Sequence, residues 1–248
     1  TIALSAGTAW TPDAGSWTDA THYARTFTLT DNAEEFTDVD VTVTLGRDIA
    51  GNVQVQGAGT DAFDIDTKNP TAVVTTTLNP IYESSLVQTV IVVYDESMNS
   101  SSHPETTFTG IHWGTQAAGS WSTAAFINDT YTTTFTHDAT EERIAVEVAT
   151  VAIASGAVDL AGNSDIGDSS PAFVLDTQKP TATVAVDTPL VKDSDLTQLV
   201  TVTYSEAMNQ SVTPTIAFSA GTTWTDGAGS WTDATHYART FTLTDNAE

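Results

Sequence analysis

Residues Thr1 to Glu34 recur without a gap as Thr215 to Glu248, an offset of 214 positions. Only four pairs differ: Leu4/Phe218, Ala9/Thr223, Pro12/Asp226 and Asp13/Gly227. A near-copy of this length within 248 residues makes the chain an array of repeated units. A second relation, at an offset of 110, matches Pro70-Thr71-Ala72 with Pro180-Thr181-Ala182. It also matches Tyr94, Glu96, Met98 and Asn99 with Tyr204, Glu206, Met208 and Asn209. Gly119-Ser120-Trp121 matches both Gly15-Ser16-Trp17 and Gly229-Ser230-Trp231. The period is roughly 104 to 110 residues, the size of a small β-sandwich domain.

The chain therefore divides into three pieces. Residues 1–66 are the C-terminal part of one repeat, 67–176 a complete repeat and 177–248 the N-terminal part of another. The two end pieces overlap by the 34 duplicated residues and together hold every segment of one repeat. The expectation is a stretch of a longer array, out of register with its domains.

Strand signals dominate. Alternation is clear in Val87 to Tyr94, in Val39 to Leu45, in Thr132 to Thr136 and in Thr26 to Thr30. Gly, Asn, Asp and Pro separate these runs. For the complete repeat the pattern predicts strand A near 71–76, B near 87–94 and C near 105–110. A short pair follows near 112–126, then E near 130–136, F near 143–153 and G near 171–175. The expected fold class is all-β: tandem immunoglobulin-like β-sandwich domains, one complete and flanked by two partial ones. Cysteine is absent, so packing replaces any disulfide. Trp113, Trp121, Phe108, Phe135 and Tyr131 are the expected large core residues.

Thirty-two acidic residues oppose seven basic ones, a net charge of −25. Nucleic acid and anionic membranes need clustered Lys and Arg, so neither is an expected partner. No apolar run is long enough for a membrane span, and no membrane insertion is expected of these residues. Such a charge favours cations, calcium above all.

The acids fall in three motifs, each present twice. The linker Asp66-Thr67-Lys68-Asn69-Pro70 is copied as Asp176-Thr177-Gln178-Lys179-Pro180. The B–C loop Tyr94-Asp95-Glu96-Ser97-Met98-Asn99 is copied as Tyr204-Ser205-Glu206-Ala207-Met208-Asn209. The F–G loop Asp159-Leu160-Ala161-Gly162-Asn163 has an earlier copy, Asp48-Ile49-Ala50-Gly51-Asn52. In a sandwich of this topology the B–C and F–G loops lie at the end where the chain enters. Asp64 and Asp66 of the linker, Asp95 and Glu96, and Asp159 and Asn163 are thus expected to converge. Carboxylates gathered in this way repel one another unless a cation lies between them. Ca2+ takes six to eight oxygens from Asp, Glu, Asn and backbone carbonyls. Gly162 allows the tight turn that presents them. At the following joint the candidate ligands are Asp176 and Glu206; in the first piece they are Asp48 and Asn52. Glu34 and Glu35, and in the complete repeat Asp138, Glu141 and Glu142, are read as E–F loop acids near the joints.

The D-T-x-x-P-T linker, the V-x-V-x-Y-x-E-x-M-N strand and loop, and D-x-A-G-N at a spacing near 100 residues resemble the immunoglobulin-like repeats of giant secreted bacterial adhesins. The resemblance covers essentially the whole chain. It implies an extender region of a type I-secreted, RTX-like adhesin at the bacterial cell surface. There, calcium would rigidify the junctions between neighbouring repeats of the same chain and hold a ligand-binding tip away from the cell. The RTX nonapeptide itself is absent.

No enzyme is expected. Of the five histidines, His22, His103, His112, His137 and His236, the first and last are copies within a repeated strand segment, and a repeated array rarely carries one catalytic site per repeat. Gly167-Asp168-Ser169 lacks the strand-to-helix context of a nucleophile. The alternative to an extender is a carbohydrate-binding module, which needs exposed aromatics. Trp10, Trp113 and Trp224 sit in loop-like positions, whereas Trp17, Trp121 and Trp231 recur in an unchanged context that favours a structural role.

Overall fold

The computed structural model describes residues 1–109, 113–137, 147–220 and 223–245. Among these the chain is all-β, with no helix, in several sheets. It forms two compact units, Thr1–Thr177 and Gln178–Glu248. The unit boundary falls one residue beyond the expected division at 176/177, and the division at 66/67 lies inside the first unit.

The first unit opens with β1 (Ile2–Leu4), β2 (Trp10–Pro12), β3 (Ser16–Trp17), β4 (Tyr23–Ala24), β5 (Phe27–Leu29), β6 (Glu35–Val43) and β7 (Gly57–Asp66). It continues with β8 (Ala72–Thr76), β9 (Val87–Tyr94), β10 (Glu105–Phe108), β11 (Trp113–Gln116), β12 (Ser120–Ser122) and β13 (Thr130–His137). It closes with β14 (Glu147–Ala149), β15 (Val151–Ala154), β16 (Asp168–Ser169) and β17 (Phe173–Leu175). The second unit has β18 (Ala182–Val186), β19 (Thr197–Tyr204), β20 (Trp224–Trp231) and β21 (His236–Leu243).

Within residues 67–177 the order β8-β9-β13-β11 makes one sheet, with β12 also on β13. The order β10-β15-β16 makes another, and β14 pairs with β17. Both layers feed one core. Val74, Val90, Val92, Tyr94, Tyr131 and Phe135 come from the first, and Val151, Ile153, Phe173 and Leu175 from the rest. Phe108, Trp113 and Trp121 are partly buried against it. Alternation in β9 produces this, because every second residue points inward. Gln88 takes one inward position. Its Oε1 accepts the Thr77 and Leu78 N–H groups and its Nδ-equivalent amide, Nε2, donates to the Leu78 carbonyl, so its burial leaves no polar group unmet.

The duplicated segment adopts two different structures. Ile2–Leu4 forms a strand because β6 runs beside it, with Ile2 opposite Val43 and Leu4 opposite Val41. The copy, Ile216–Phe218, has no strand pairing among the described residues. The reverse holds farther along. Residues 10–29 form only the short pairs β2–β5 and β3–β4. Their copies form the eight-residue strands β20 and β21, because β19 pairs with β21 from Thr197↔Thr242 to Thr203↔His236. The local sequence permits a strand in each case, and the neighbouring strand decides its extent.

Candidate metal centre

Three acids from distant parts of the sequence meet in the first unit. One carboxylate oxygen each from Asp66, Glu96 and Asp159 lies within 4.8 Å of the others. Asp66 ends β7, Glu96 follows β9, and Asp159 opens the turn between β15 and β16. Asp159 is 1% exposed and Glu96 8%. Two oxygens bound to one Ca2+ at about 2.4 Å can stand at most about 4.8 Å apart, so the span suits a shared ion.

The turn at Asp159 is built by its own motif. Asp159 Oδ1 accepts the N–H groups of Gly162 (2.6 Å) and Asn163 (2.8 Å). Asn163 Nδ2 donates to Asp159 Oδ2 (2.8 Å) and to both the carbonyl and Oδ1 of Asp66 (3.2 Å each). Gly162 stands at φ +102°, a conformation that L side chains rarely adopt. The B–C loop is pinned beside this turn by Met98, which is fully buried and bridges antiparallel to Asp159. Asn99 N–H donates to the Val158 carbonyl (2.9 Å), and Asn99 Oδ1 caps Ser101. Tyr94 Oη donates to Asp165 Oδ2 (2.9 Å), a buried acid whose other oxygen accepts the Gly156 N–H. In Y-x-E-x-M-N, then, Tyr94, Met98 and Asn99 set the loop, and Glu96 faces the other acids.

The electrostatics record the crowding. Burial pushes the Glu96 carboxyl up to about 7; Lys68 opposes this, and Asp159, Asp66 and Asp95 add to it. Burial, then the Asp159 charge, also raises Asp66. Glu96 Oε1 accepts no hydrogen bond, while the Lys68 ammonium stands 3.7 Å away. A buried acid oxygen with no donor, facing two further carboxylates, is suited to a cation.

The other expected ligands lie elsewhere. Asp95 Oδ2 pairs with Lys68 Nζ (2.9 Å) and Oδ1 accepts the Thr71 N–H (2.8 Å), so it ties the linker to the B–C loop outside the three-acid group. Asp64 Oδ1 accepts the Asp38 N–H between β6 and β7. Asp48 and Asn52 repeat the turn of Asp159 and Asn163, with Asn52 Nδ2 donating to Asp48 Oδ2 (2.7 Å), but on an exposed loop where no second acid joins them among the described residues. Asp176 Oδ1 and Glu206 Oε1 are each buried without a hydrogen-bond partner in their own units. Glu34 accepts from the N–H and hydroxyl of Thr8, and Glu35 pairs with Asp66 across β6 and β7. Asp138, Glu141 and Glu142 lie outside the described residues. Two residues of the site carried no repeat signal: Lys68, replaced by Gln178 in the second linker, and Asp165.

Trp10, Trp113 and Trp224, considered for sugar binding and expected in loops, open strands β2, β11 and β20 instead. The indole N–H groups of Trp10, Trp121, Trp224 and Trp231 donate to the carbonyls of Ala6, Ser102, Ala220 and Val212. Trp113 stacks on Phe108 at 4.2 Å.

No protein family, no curated protein and no solved structure matches this chain.

Proposed function

We propose that the chain is an extender segment of a bacterial surface adhesin, a tandem array of immunoglobulin-like repeats whose joints are stiffened by Ca2+. The observation that carries this reading is the meeting of Asp66, Glu96 and Asp159 where one repeat hands over to the next. Asp66 belongs to the last strand of the preceding repeat, and Glu96 and Asp159 belong to the following one. An ion held by all three joins the two repeats through bonds stronger than the linker alone supplies. Strand order supports the domain type: β8-β9-β13-β11 follows the A-B-E-D sheet of an immunoglobulin-like domain, and β10 beside β14–β15, which pair with β17 and β16, follows C-F-G with β17 at the expected place of G. The acidic surface, at −25, suits a calcium-rich extracellular medium.

The mechanism is mechanical. Each repeat is a short rod that contacts mainly its neighbours, so length accrues by repetition. Ca2+ binds the assembled joint and not the unfolded chain, and at a hundredfold excess over its Kd it stabilises that state by about 2.7 kcal/mol. The deciding experiment is a thermal melt in millimolar Ca2+, in excess chelator and in Mg2+, with small-angle scattering alongside. A Ca2+-specific rise in Tm and in maximum dimension supports the reading. Equal responses to Ca2+, Mg2+ and plain salt would leave the acids as a screened, solvated surface.

A further inference from the structure

The two linkers and the two B–C loops differ at a matched pair of positions. At the offset of 110, Lys68 and Asp95 correspond to Gln178 and Ser205. Around them Asp66, Thr67, Pro70, Tyr94, Glu96 and Met98 are unchanged. The lysine of the second linker, Lys179, stands one position later, in the place of Asn69. A cation and an anion thus occur together in one copy, and neutral residues take both positions in the other.

Asp95 has two oxygens with two tasks. Its Oδ1 accepts the Thr71 N–H (2.8 Å), which ties the entry to β8 to the exit from β9. Ser205 Oγ accepts the Thr181 N–H (2.9 Å) in the same way, so serine keeps this task. The strands agree as well, with Ala72 opposite Tyr94 and Ala182 opposite Tyr204. The second task belongs to Oδ2, which pairs with Lys68 Nζ at 2.9 Å. Serine has no second oxygen for it, and glutamine at 178 has no ammonium. The fold therefore needs the first task, and the second comes and goes with the lysine.

Lys68 is placed to act on the three acids. Its N–H donates to Asp66 Oδ1 (3.2 Å), so the linker acid fixes where the side chain starts. Its ammonium ends 3.7 Å from Glu96 Oε1, the buried oxygen that accepts no hydrogen bond. A Ca2+ bound to that oxygen at about 2.4 Å stands no more than about 6 Å from the ammonium. That is inside the screening length of physiological salt, about 8 Å, so the two cations repel. The lysine side chain is 34% exposed, and solvent weakens this repulsion without removing it.

We propose that Lys68 sets the calcium affinity of this joint: it is a tethered cation that clasps the linker to the B–C loop when Ca2+ is absent and weakens Ca2+ binding when it is present. The inference rests on the calcium reading above. It makes the joint partly self-supporting, with an ion needed at higher concentration to stiffen it further.

Calorimetric titration with Ca2+ tests this on the whole chain, with Tm in chelator measured alongside. Lys68→Gln is expected to bind Ca2+ about three- to tenfold more tightly than wild type. A variant that had merely damaged the fold would bind more weakly. Lys68→Arg keeps the charge and should stay near wild type. Lys192→Gln makes the same change in net charge at an exposed position of the second unit and should also stay near wild type. Asp159→Asn added to Lys68→Gln should abolish the gain. In chelator Lys68→Gln should lower the Tm, and by less when Asp95 is already Ser, because either change removes the same pair. Ca2+ binding at equal Kd in wild type and Lys68→Gln overturns this inference alone. An equal gain in Lys192→Gln, or a gain that survives Asp159→Asn, overturns it too, as does a Tm loss that is the same in either Asp95 background. No Ca2+ uptake by wild type or by Lys68→Gln would bring down the calcium reading itself, and this inference with it.

Discussion

Asn163 holds Asp66 from 97 positions away, its amide donating to both the carbonyl and the carboxylate of the linker residue. This is a direct polar link between the end of β7 and the turn between β15 and β16. Asn163→Ala removes it and also frees Asp159 Oδ2. Loss of these bonds should cost about 1–2 kcal/mol in chelator, read by denaturant unfolding of the first unit. The Ca2+ response should shrink as well, since Asp66 and Asp159 lose their common donor. Unchanged unfolding in chelator would show that the link contributes nothing to the joint.

Glu96 makes the joint sensitive to pH in a defined direction. Burial and the neighbouring acids hold its folded carboxyl at about 7, against an ordinary 4.5. Between those values the folded state binds a proton that the unfolded chain does not. The contribution to stability is complete below about 4.5 and is lost as pH rises through about 7. In chelator the Tm should therefore fall across this window, and Glu96→Gln should flatten the fall. With Ca2+ the slope should reverse, because the ion and the proton compete for the same carboxylate. A chelator profile that is the same in wild type and Glu96→Gln would remove Glu96 as its source.

Gly162 and Gly51 separate backbone cost from metal binding. They stand at φ +102° and +92° in matching turns, and a Cβ at either would meet nothing within 4 Å. Alanine is therefore penalised by conformation alone, by about 1–2 kcal/mol. Only Gly162 belongs to the three-acid group. Gly162→Ala should lower both the apo Tm and the Ca2+ affinity, read by calorimetric titration, whereas Gly51→Ala should leave Ca2+ binding at the Asp66 site unchanged. Equal effects on binding would detach the turn at Asp159 from the ion.

Much of this architecture was legible because it repeats. The repeats place the described strands of the complete repeat within a few residues of where they lie; the offset of 110 singles out Asp66 and Glu96, and Asp159 stands out by its copy Asp48, 111 positions earlier. Convergence followed from topology, since these three are brought together by loop order and not by spacing. Illegible were the residues without a copy. Lys68 neutralises Asp95 at a position that is Gln in the other linker, and Asp165 meets Tyr94 only through the fold. Asp64 lies two residues before Asp66 in β7, and its carboxylate is taken up by the Asp38 N–H of β6 instead. The two fates of Ile2–Leu4 and Ile216–Phe218 were illegible in principle, because near-identical residues differ only in their neighbours.

The recurrent Gly-Ser-Trp has a steric reason that yields a graded prediction. In all three copies a tyrosine from the paired strand lies over the glycine. A Cβ at Gly119 would fall 2.2 Å from Tyr131 Cζ, at Gly15 2.1 Å from Tyr23 Oη, and at Gly229 1.9 Å from Tyr237 Oη. No side chain tolerates such distances, so the ring or the strand must move. Tyr131 is 4% exposed and is held by Trp121 at 5.1 Å and by His103 stacked at 5.9 Å. Tyr237 is fully buried under Trp231. Tyr23 is 42% exposed and can swing into solvent. Gly119→Ala and Gly229→Ala should therefore each cost about 2 kcal/mol, the range of core overpacking, in the first and second units respectively. Gly15 stands at φ +65°, so Gly15→Ala should cost about 1–2 kcal/mol through backbone conformation, as at Gly162, and not through the ring. Hydrogen exchange resolved by segment measures each loss where it occurs. Costs well under about 1 kcal/mol at Gly119 and Gly229, which have no positive φ, would mean that ring burial does not set the penalty there.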